Sequence, residues 1–84
     1  MGSSMENEIY FDGNNPKLLR SLMKEHGDST FPYYGTNEDG EDIEIHIGKT
    51  SIIHKTYQNN GWLRANYYDE NGLPDGEMFE GRWK

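Results

Sequence analysis

The chain contains no cysteine and only three prolines in 84 residues. Without thiols, neither disulfide bonds nor thiolate metal ligands are available to stabilise a small core. Long apolar runs are also missing: no segment approaches the roughly 20 apolar residues of a membrane-spanning helix, and no signal-peptide pattern is present. We therefore expect a soluble, cytoplasmic protein that does not bind membranes.

Basic residues are the second scarce feature. Eight Lys and Arg stand against 15 Asp and Glu, which gives a formal net charge of -7 at pH 7 and a pI near 4.7. A chain with this charge repels phosphate backbones and anionic lipid surfaces. The composition therefore disfavours direct nucleic-acid binding and favours a partner protein with a basic surface.

Motifs of common catalytic and metal sites are missing as well. There is no G-x-S-x-G motif and no glycine-rich phosphate loop, and the acidic stretches "NEDGEDIE" and "DENGLPDGEMFE" do not have the spacing of a Ca²⁺ loop. His46 and His54 are expected on opposite faces of neighbouring strands, and His26 at the end of a helix. A paired-carboxylate hydrolase is an alternative, but domains of this size rarely form a deep pocket. We therefore predict no enzyme activity, no metal site and no cofactor.

Aromatic rings are what the chain has in abundance. Two Trp, six Tyr and three Phe accompany a hydrophobic content of only 32%. The low hydrophobic content favours disorder, whereas the large area that each buried ring removes from water favours a folded domain. Residues 1–4, "MGSS", have the composition of an expression-tag linker. We therefore predict one folded domain over residues 5–84, preceded by this remnant.

The segment "NPKLLRSLMKEHG" predicts a helix over about residues 16–26. Asn15 is placed to cap it, Pro16 suits the first helical position, and Gly27 suits a left-handed residue after the last turn. One amphipathic stripe runs along it. Its residues are Leu18, Leu19, Leu22, Met23 and His26.

After residue 30, turn signals recur roughly every eight to twelve residues and separate five strand-like segments. These segments are "FPYYGT", "EDIEIHI", "SIIHKTYQ", "WLRANYYD" and "EMFEGRW". Because short turns join antiparallel neighbours, they predict a five-strand antiparallel meander. We expect an α+β fold in which the helix packs on one face of this sheet, with "EIYF", residues 8–11, as a short extra N-terminal strand.

Strand alternation predicts which side chains share a face of the sheet. A turn at "GKTS" places Ile47 opposite Ile52, and a type I′ turn at Asn60 and Gly61 extends the same faces into the next strand. The helix is then expected on a face with Ile43, Ile45, Ile47, Ile52, His54, Thr56, Leu63, Ala65, Tyr67, Phe79 and Trp83. The opposite, outward face would carry Ile53, Tyr57, Trp62, Arg64, Tyr68 and Met78.

The outward rings and one acidic cluster form the candidate site. Its predicted partner-binding residues are Tyr57, Trp62, Arg64 and Tyr68 on the outward face, with Glu38, Asp39, Glu41, Asp42 and Glu44 in the acidic cluster. We predict a non-enzymatic acidic protein-binding module; a phage or mobile-element inhibitor that occupies a basic nucleic-acid-binding surface of a host protein is one form of it.

Other interpretations of the same residues stay open. The acidic cluster would also serve as a solvated turn that protects a sheet edge, and the outward rings would also serve as a second small core. A small-ligand module would use Trp62, Tyr57 and Tyr68 as a stacking shelf and Arg64 as an anchor. A structural or oligomerisation domain would associate through this face; we expect a monomer or a weak homodimer.

Overall fold

A computed structural model describes residues 10–28 and 31–83. In these ranges the fold is α+β, with one helix and one five-stranded antiparallel sheet. The elements are α1 (Pro16–His26), β1 (Tyr33–Thr36), β2 (Asp42–Ile47), β3 (Ile52–Tyr57), β4 (Trp62–Tyr68) and β5 (Phe79–Arg82). The strands lie side by side in chain order, which confirms the predicted meander.

Helix α1 begins and ends where the sequence predicted. The Asn15 side chain accepts a hydrogen bond of 3.1 Å from the Leu18 N–H, so the predicted cap is confirmed. The predicted left-handed Gly27 is wrong, because its φ of -66 is right-handed. A Cβ at this position would clash with the Met23 carbonyl oxygen and would lie 2.9 Å from the Lys49 Cα and 3.0 Å from the Gly48 carbonyl oxygen. Close approach of both the last turn of α1 and the β2–β3 loop therefore accounts for this glycine.

The β2–β3 hairpin has the predicted register. Ile47 pairs with Ile52, and Glu44 pairs with Lys55. The loop is closed by a 2.8 Å hydrogen bond from the Gly48 N–H to the Ser51 carbonyl. Successive side chains of a strand point to opposite faces, so the register also separates the two strand histidines as predicted.

The β3–β4 connection differs from the prediction. The Gln58 N–H donates to the Trp62 carbonyl at 2.9 Å, so residues 59–61 form a three-residue loop rather than a two-residue type I′ turn. Gly61 has a φ of 90, in the left-handed region that such a loop requires at its last position. Thr56 consequently pairs with Arg64 instead of Ala65. A shift of one residue reverses the face of every β4 side chain.

The register divides the sheet into two faces. One face carries Tyr33, Ile43, Ile45, Ile47, Ile52, His54, Thr56, Trp62, Arg64, Asn66 and Tyr68. Because its isoleucines share a buried cluster with leucines of α1, we name it the helix-side face. The distal face carries Tyr34, Asp42, Glu44, His46, Ile53, Lys55, Tyr57, Leu63, Ala65, Tyr67, Phe79 and, just beyond β5, Trp83. The register therefore reverses the predicted faces of two groups of residues. Those predicted on the face of the helix but found on the distal face are Leu63, Ala65, Tyr67, Phe79 and Trp83, and those predicted outward but found on the helix-side face are Trp62, Arg64 and Tyr68.

The hydrophobic core joins residues of α1 to residues of the helix-side face. Its members are Leu19, Leu22, Met23, Ile45, Ile47, Ile52 and Tyr68. Phe11 packs against this cluster and stacks on His54, with ring centroids 4.5 Å apart and planes inclined by 15°. Tyr10 and Phe11 lie in no strand. The rest of the predicted N-terminal strand, like residues 1–4, lies outside the described residues.

Candidate binding site on the distal face

An open cavity of about 470 Å³ lies at one end of the distal face. Adjacent strands supply most of its wall, because alternation along β1, β2 and β3 points one side chain of β1, two of β2 and one of β3 toward the same side. The lining residues are Tyr34, Gly35, Asp42, Ile43, Glu44, Tyr57 and Trp83.

Trp83 reaches this cavity from beyond the end of β5. Its backbone N–H donates to the Gly61 carbonyl at 3.1 Å, and its indole Nε1–H donates to the Gln58 carbonyl at 2.9 Å. These bonds attach Trp83 to the β3–β4 loop, beside Tyr57. The Trp83 and Tyr57 rings are perpendicular, with centroids 5.6 Å apart, so they form an aromatic corner of the cavity.

Glu44 supplies a fixed carboxylate to the cavity. One of its oxygens accepts a 2.7 Å hydrogen bond from the Tyr57 hydroxyl, and the other lies 2.7 Å from Nε2 of His46. Burial raises the pKa of Glu44, but the hydrogen bonds from Tyr57 and His46 outweigh burial and leave this pKa below its ordinary value. Glu44 is therefore ionised at neutral pH.

The same hydrogen bond keeps the neighbouring phenol neutral. It is the largest cause that raises the pKa of Tyr57 from 10.0 to about 12, and burial contributes in the same direction. A protonated Tyr57 donates to Glu44 at neutral pH and orients its carboxylate. The Tyr57 phenol therefore adds no negative charge to the cavity wall at neutral pH.

Two further charged residues lie near Glu44. Asp42 pairs with Tyr57 across β2 and β3 and is exposed on the same face. Lys55 pairs with Glu44, and its charge helps to lower the pKa of Glu44, but Lys55 does not line the cavity. The lining therefore combines aromatic rings, whose faces attract cations, with two carboxylates. Such a wall suits a cation and disfavours an anion.

Three of the predicted partner-binding residues meet at this cavity: Tyr57, Asp42 and Glu44. The other predicted aromatic positions do not. Tyr68 is buried in the core, where burial raises its pKa, and Trp62 lies on the helix-side face with the Arg82 guanidinium 5.4 Å from its ring centroid. The stacking shelf expected from Trp62, Tyr57 and Tyr68 is consequently not formed.

Arg64 is also directed away from the cavity. It pairs with Glu80 across β4 and β5, and its Nη2 lies 3.6 Å from a Glu80 carboxylate oxygen. This cross-strand ion pair is half exposed, so it contributes little to stability. Its position on the helix-side face removes Arg64 as an anion anchor for a ligand on the distal face.

The remaining predicted acids lie in the β1–β2 loop. Glu38 and Asp39 are exposed there. Asn37 organises this loop, since its Oδ1 accepts from the Glu41 N–H at 2.9 Å and its amide donates to the Glu41 carboxylate at 2.9 Å. The bond from Asn37 and a second bond from the Asn59 N–H lower the pKa of Glu41. The loop therefore places the ionised Glu41 carboxylate next to the β3–β4 loop.

Sequence reasoning missed Tyr34 and Trp83 as members of the site. Tyr34 pairs with Glu44, and its place on the distal face follows from alternation once the β1–β2 register is known. The two-residue β3–β4 turn predicts Trp83 on the opposite face, together with Leu63 and Ala65. The three-residue loop reverses the face of β4, and β5 follows because it pairs with β4. No motif in the sequence marks either residue.

A second groove, of about 680 Å³, lies on the helix-side face beyond the core. Thr56 and Asn66 contribute polar groups to its wall, together with His54. Burial lowers the pKa of His54, so this ring is neutral at neutral pH. Over residues 10–28 and 31–83, no three His, Cys, Asp or Glu side chains are grouped so that they could hold a metal ion.

The described part of the chain contains no helix that is long and apolar enough to cross a membrane. Comparison with known proteins gives no relative from which a function could be transferred. No family model matches the chain, and no curated protein or solved structure matches it either.

Proposed function

We propose that this protein is a non-enzymatic acidic module that binds a basic surface of another protein through its distal face. The observation that carries the proposal is the cavity in which Tyr34, Tyr57 and Trp83 accompany two carboxylates. Aromatic residues with part of their area in water are typical anchors of protein interfaces. Carboxylates among them select a positively charged partner.

Exposure on the distal face extends the surface beyond the cavity. Tyr34 and Phe79 expose 52% and 50% of their areas, and Tyr67 exposes 37%. Leaving rings of this size partly in water forgoes a large favourable burial energy, which association with a partner would recover. The net charge of -7 would steer a basic partner toward the protein at long range.

We also propose that α1 is the layer that covers the helix-side face. Support comes from the shared cluster in which Leu19, Leu22 and Met23 accompany strand residues. With one face packed in this way, the distal face is the side of the sheet that is left for a partner. A sheet that is covered by helices on one side commonly keeps the other side in contact with solvent.

A basic nucleic-acid-binding surface is the form of partner that we favour. The loop acids Glu38, Asp39 and Glu41 continue along the chain into Asp42 and Glu44 of β2, so a row of carboxylates leads to the cavity. Such a row would compete with phosphates for basic residues of the partner. An inhibitor of phage or mobile-element origin, directed against a host protein, would act in this way.

The proposal is tested by affinity capture with two charge-matched variants. One carries Asp42→Asn and Glu44→Gln, at the cavity; the other carries Asp75→Asn and Glu77→Gln, at exposed positions between β4 and β5. We expect a basic protein to be retained by the wild type and by the control, and to be lost from the cavity variant. Retention should also weaken between about 50 and about 500 mM salt, because salt screens exposed charges.

Two results would contradict the proposal. One is equal retention by both variants and the wild type; the other is retention that salt does not affect. Sedimentation at rising protein concentration addresses the oligomerisation alternative, for which we expect a monomer or, at most, a weak homodimer. Strong self-association that Trp83→Ala abolishes would instead assign the distal face to contacts between copies of this chain.

A further inference from the structure

The geometry points to a specific occupant for the distal-face cavity: one lysine side chain of the basic partner, with its ammonium group between the aromatic rings and the carboxylates. This inference rests on the proposed function and adds to it the chemical group that the cavity takes.

The arrangement of rings around Glu44 is the first support. Tyr34 of β1 pairs with Glu44, and Tyr57 of β3, which pairs with Asp42, donates its hydroxyl hydrogen bond to Glu44, so both rings lie next to this carboxylate. Trp83 adds a third ring, perpendicular to Tyr57. A cation between rings in such an arrangement meets electron-rich surface from several directions, and Trp and Tyr are the side chains with the strongest cation–π attraction.

Hydrogen bonding favours an ammonium group over a guanidinium group. Arginine pairs best with a carboxylate whose two oxygens are both available for parallel bonds. In Glu44, one oxygen already accepts from Tyr57 and the other contacts His46. The two parallel bonds that an arginine would make are therefore blocked. A compact ammonium with three donors can use the remaining lone pairs of Glu44 and the exposed carboxylate of Asp42.

Charge balance also favours a cation over an anion or a neutral group. Glu44 and Asp42 bring two negative charges to the lining, and the phenol of Tyr57 stays protonated. Lys55 lies beside Glu44 on the same face but outside the lining, and His46 is hydrogen-bonded to Glu44. Among residues 10–28 and 31–83, none that lines the cavity is basic.

The test uses a tetralysine peptide and, as its neutral counterpart, the same peptide with every lysine acetylated at Nζ. In a Trp62→Phe background the emission reports Trp83 alone, since the chain has two Trp. We expect tetralysine to change the Trp83 emission to saturation and the acetylated peptide to leave it unchanged. In the reciprocal Trp83→Phe protein, the emission of Trp62 on the other face should change little.

Affinity is then compared among charge variants in the same background. Asp42→Asn and Glu44→Gln, tested singly, should each weaken binding of tetralysine about fivefold, the size expected for a partly desolvated cation site. Glu77→Gln removes the same charge at an exposed position outside the cavity and should weaken it less than about twofold. Asp42 is exposed, so its variant keeps the test valid if Glu44→Gln impairs folding.

The possible results separate the inference from the proposed function. Salt-sensitive binding that weakens equally in Glu44→Gln, Asp42→Asn and Glu77→Gln, without a change in Trp83 emission, would overturn the lysine site and leave a diffuse acidic surface. Equal binding of the acetylated peptide would overturn it as well. Absence of any binding at low salt would contradict the proposed function together with the inference.

Discussion

The two faces of the sheet use the same five strands for different purposes. On the helix-side face, Ile45, Ile47 and Ile52 share a cluster with leucines of α1 and are almost completely buried. On the distal face, Tyr34 and Phe79 remain about half exposed, and Tyr34 pairs with the charged Glu44. Aliphatic side chains supply burial without hydrogen-bonding needs, whereas Tyr and Trp offer apolar surface with a polar group for contact.

This contrast separates the residues that stabilise the fold from those that we propose for recognition. A domain of this size buries only about 60 to 65% of its unfolded surface, so it depends on its few fully buried residues. Most of those residues belong to α1 and to the helix-side face, Leu19 and Ile52 being the largest fully buried side chains. Substitutions there should lower stability, and substitutions at the distal cavity should mainly change binding.

The largest difference in stability is expected between substitutions at Ile52 and Ile53, adjacent residues on opposite faces. Ile52 is fully buried and Ile53 is only partly buried. Ile52→Ala should lower the free energy of unfolding by about 3 to 4 kcal/mol, and Ile53→Ala by about 1 kcal/mol. Urea denaturation measures both values.

Because both substitutions replace the same side chain by the same residue, the difference reports the face alone. If Ile52→Ala does not fold, Ile52→Val should still lower the free energy of unfolding by about 1 kcal/mol. Equal losses of unfolding free energy at positions 52 and 53 would show that both faces are covered, which would contradict the proposed difference between them.

The two tryptophans give the next largest effect. Their exposed fractions are nearly equal, 41% for Trp83 and 40% for Trp62, so neither is a core residue. Trp83→Ala removes the hydrogen bond to Gln58 and the contact with Tyr57, and should cost about 1 to 2 kcal/mol. Trp62→Ala removes an exposed contact with Arg82 and should cost about 1 kcal/mol or less.

Partner binding should separate these tryptophans more sharply than stability does. The affinity for a basic partner should fall in Trp83→Ala and be nearly unchanged in Trp62→Ala, since only Trp83 lines the cavity. The measurement is binding of tetralysine, or of a captured partner, by calorimetry. Loss of binding in Trp62→Ala alone would show that the helix-side face, and not the distal face, binds the partner.

Acid should act on the helix-side face through His54. Burial holds the pKa of His54 below its ordinary value of 6.5, so the unfolded chain binds more protons than the folded protein just below that pH. Stability should therefore decrease as the pH falls through 6.5 toward the folded-state pKa. Denaturation over this range should show a smaller decrease in His54→Gln; an identical decrease would argue against burial of this ring.

Alkali should act on the distal face, through Tyr57. Its pKa is raised from 10.0 to about 12, so the unfolded chain loses this proton first. Stability should fall as the pH rises above 10, and Tyr57→Phe should reduce that fall. Part of it should persist, because burial also raises the pKa of Tyr68. The raised pKa of Tyr57 is checked by following tyrosinate absorbance while the folded protein is titrated with alkali.

Much of the fold could be predicted because local signals agreed. Asn15 and Pro16 indicated where α1 starts. In the β2–β3 hairpin, the register that places Ile47 opposite Ile52 also puts Ile43 and Ile45 on the same face. Opposite charges on Glu44 and Lys55 supported the same register. Each of these signals lies within a few residues of the structure that it specifies.

The β3–β4 register could not be predicted in this way. "QNNG" is compatible with a two-residue or a three-residue loop, and both place Gly61 at positive φ. Distant contacts accompany the longer loop: Tyr68 joins the core, and the Trp83 indole donates to Gln58. Because such contacts lie outside the local sequence, the site was predicted only in part.

We propose that the distal cavity binds a basic partner while the helix-side face maintains the fold. Amide chemical-shift mapping during titration with tetralysine distinguishes the two faces residue by residue. We expect saturable shifts concentrated at Tyr34, Asp42, Glu44, Tyr57 and Trp83, with little change at Leu19 and Ile52. Shifts centred on the helix-side groove at Thr56 and Asn66, or scattered evenly over all acidic residues, would contradict it.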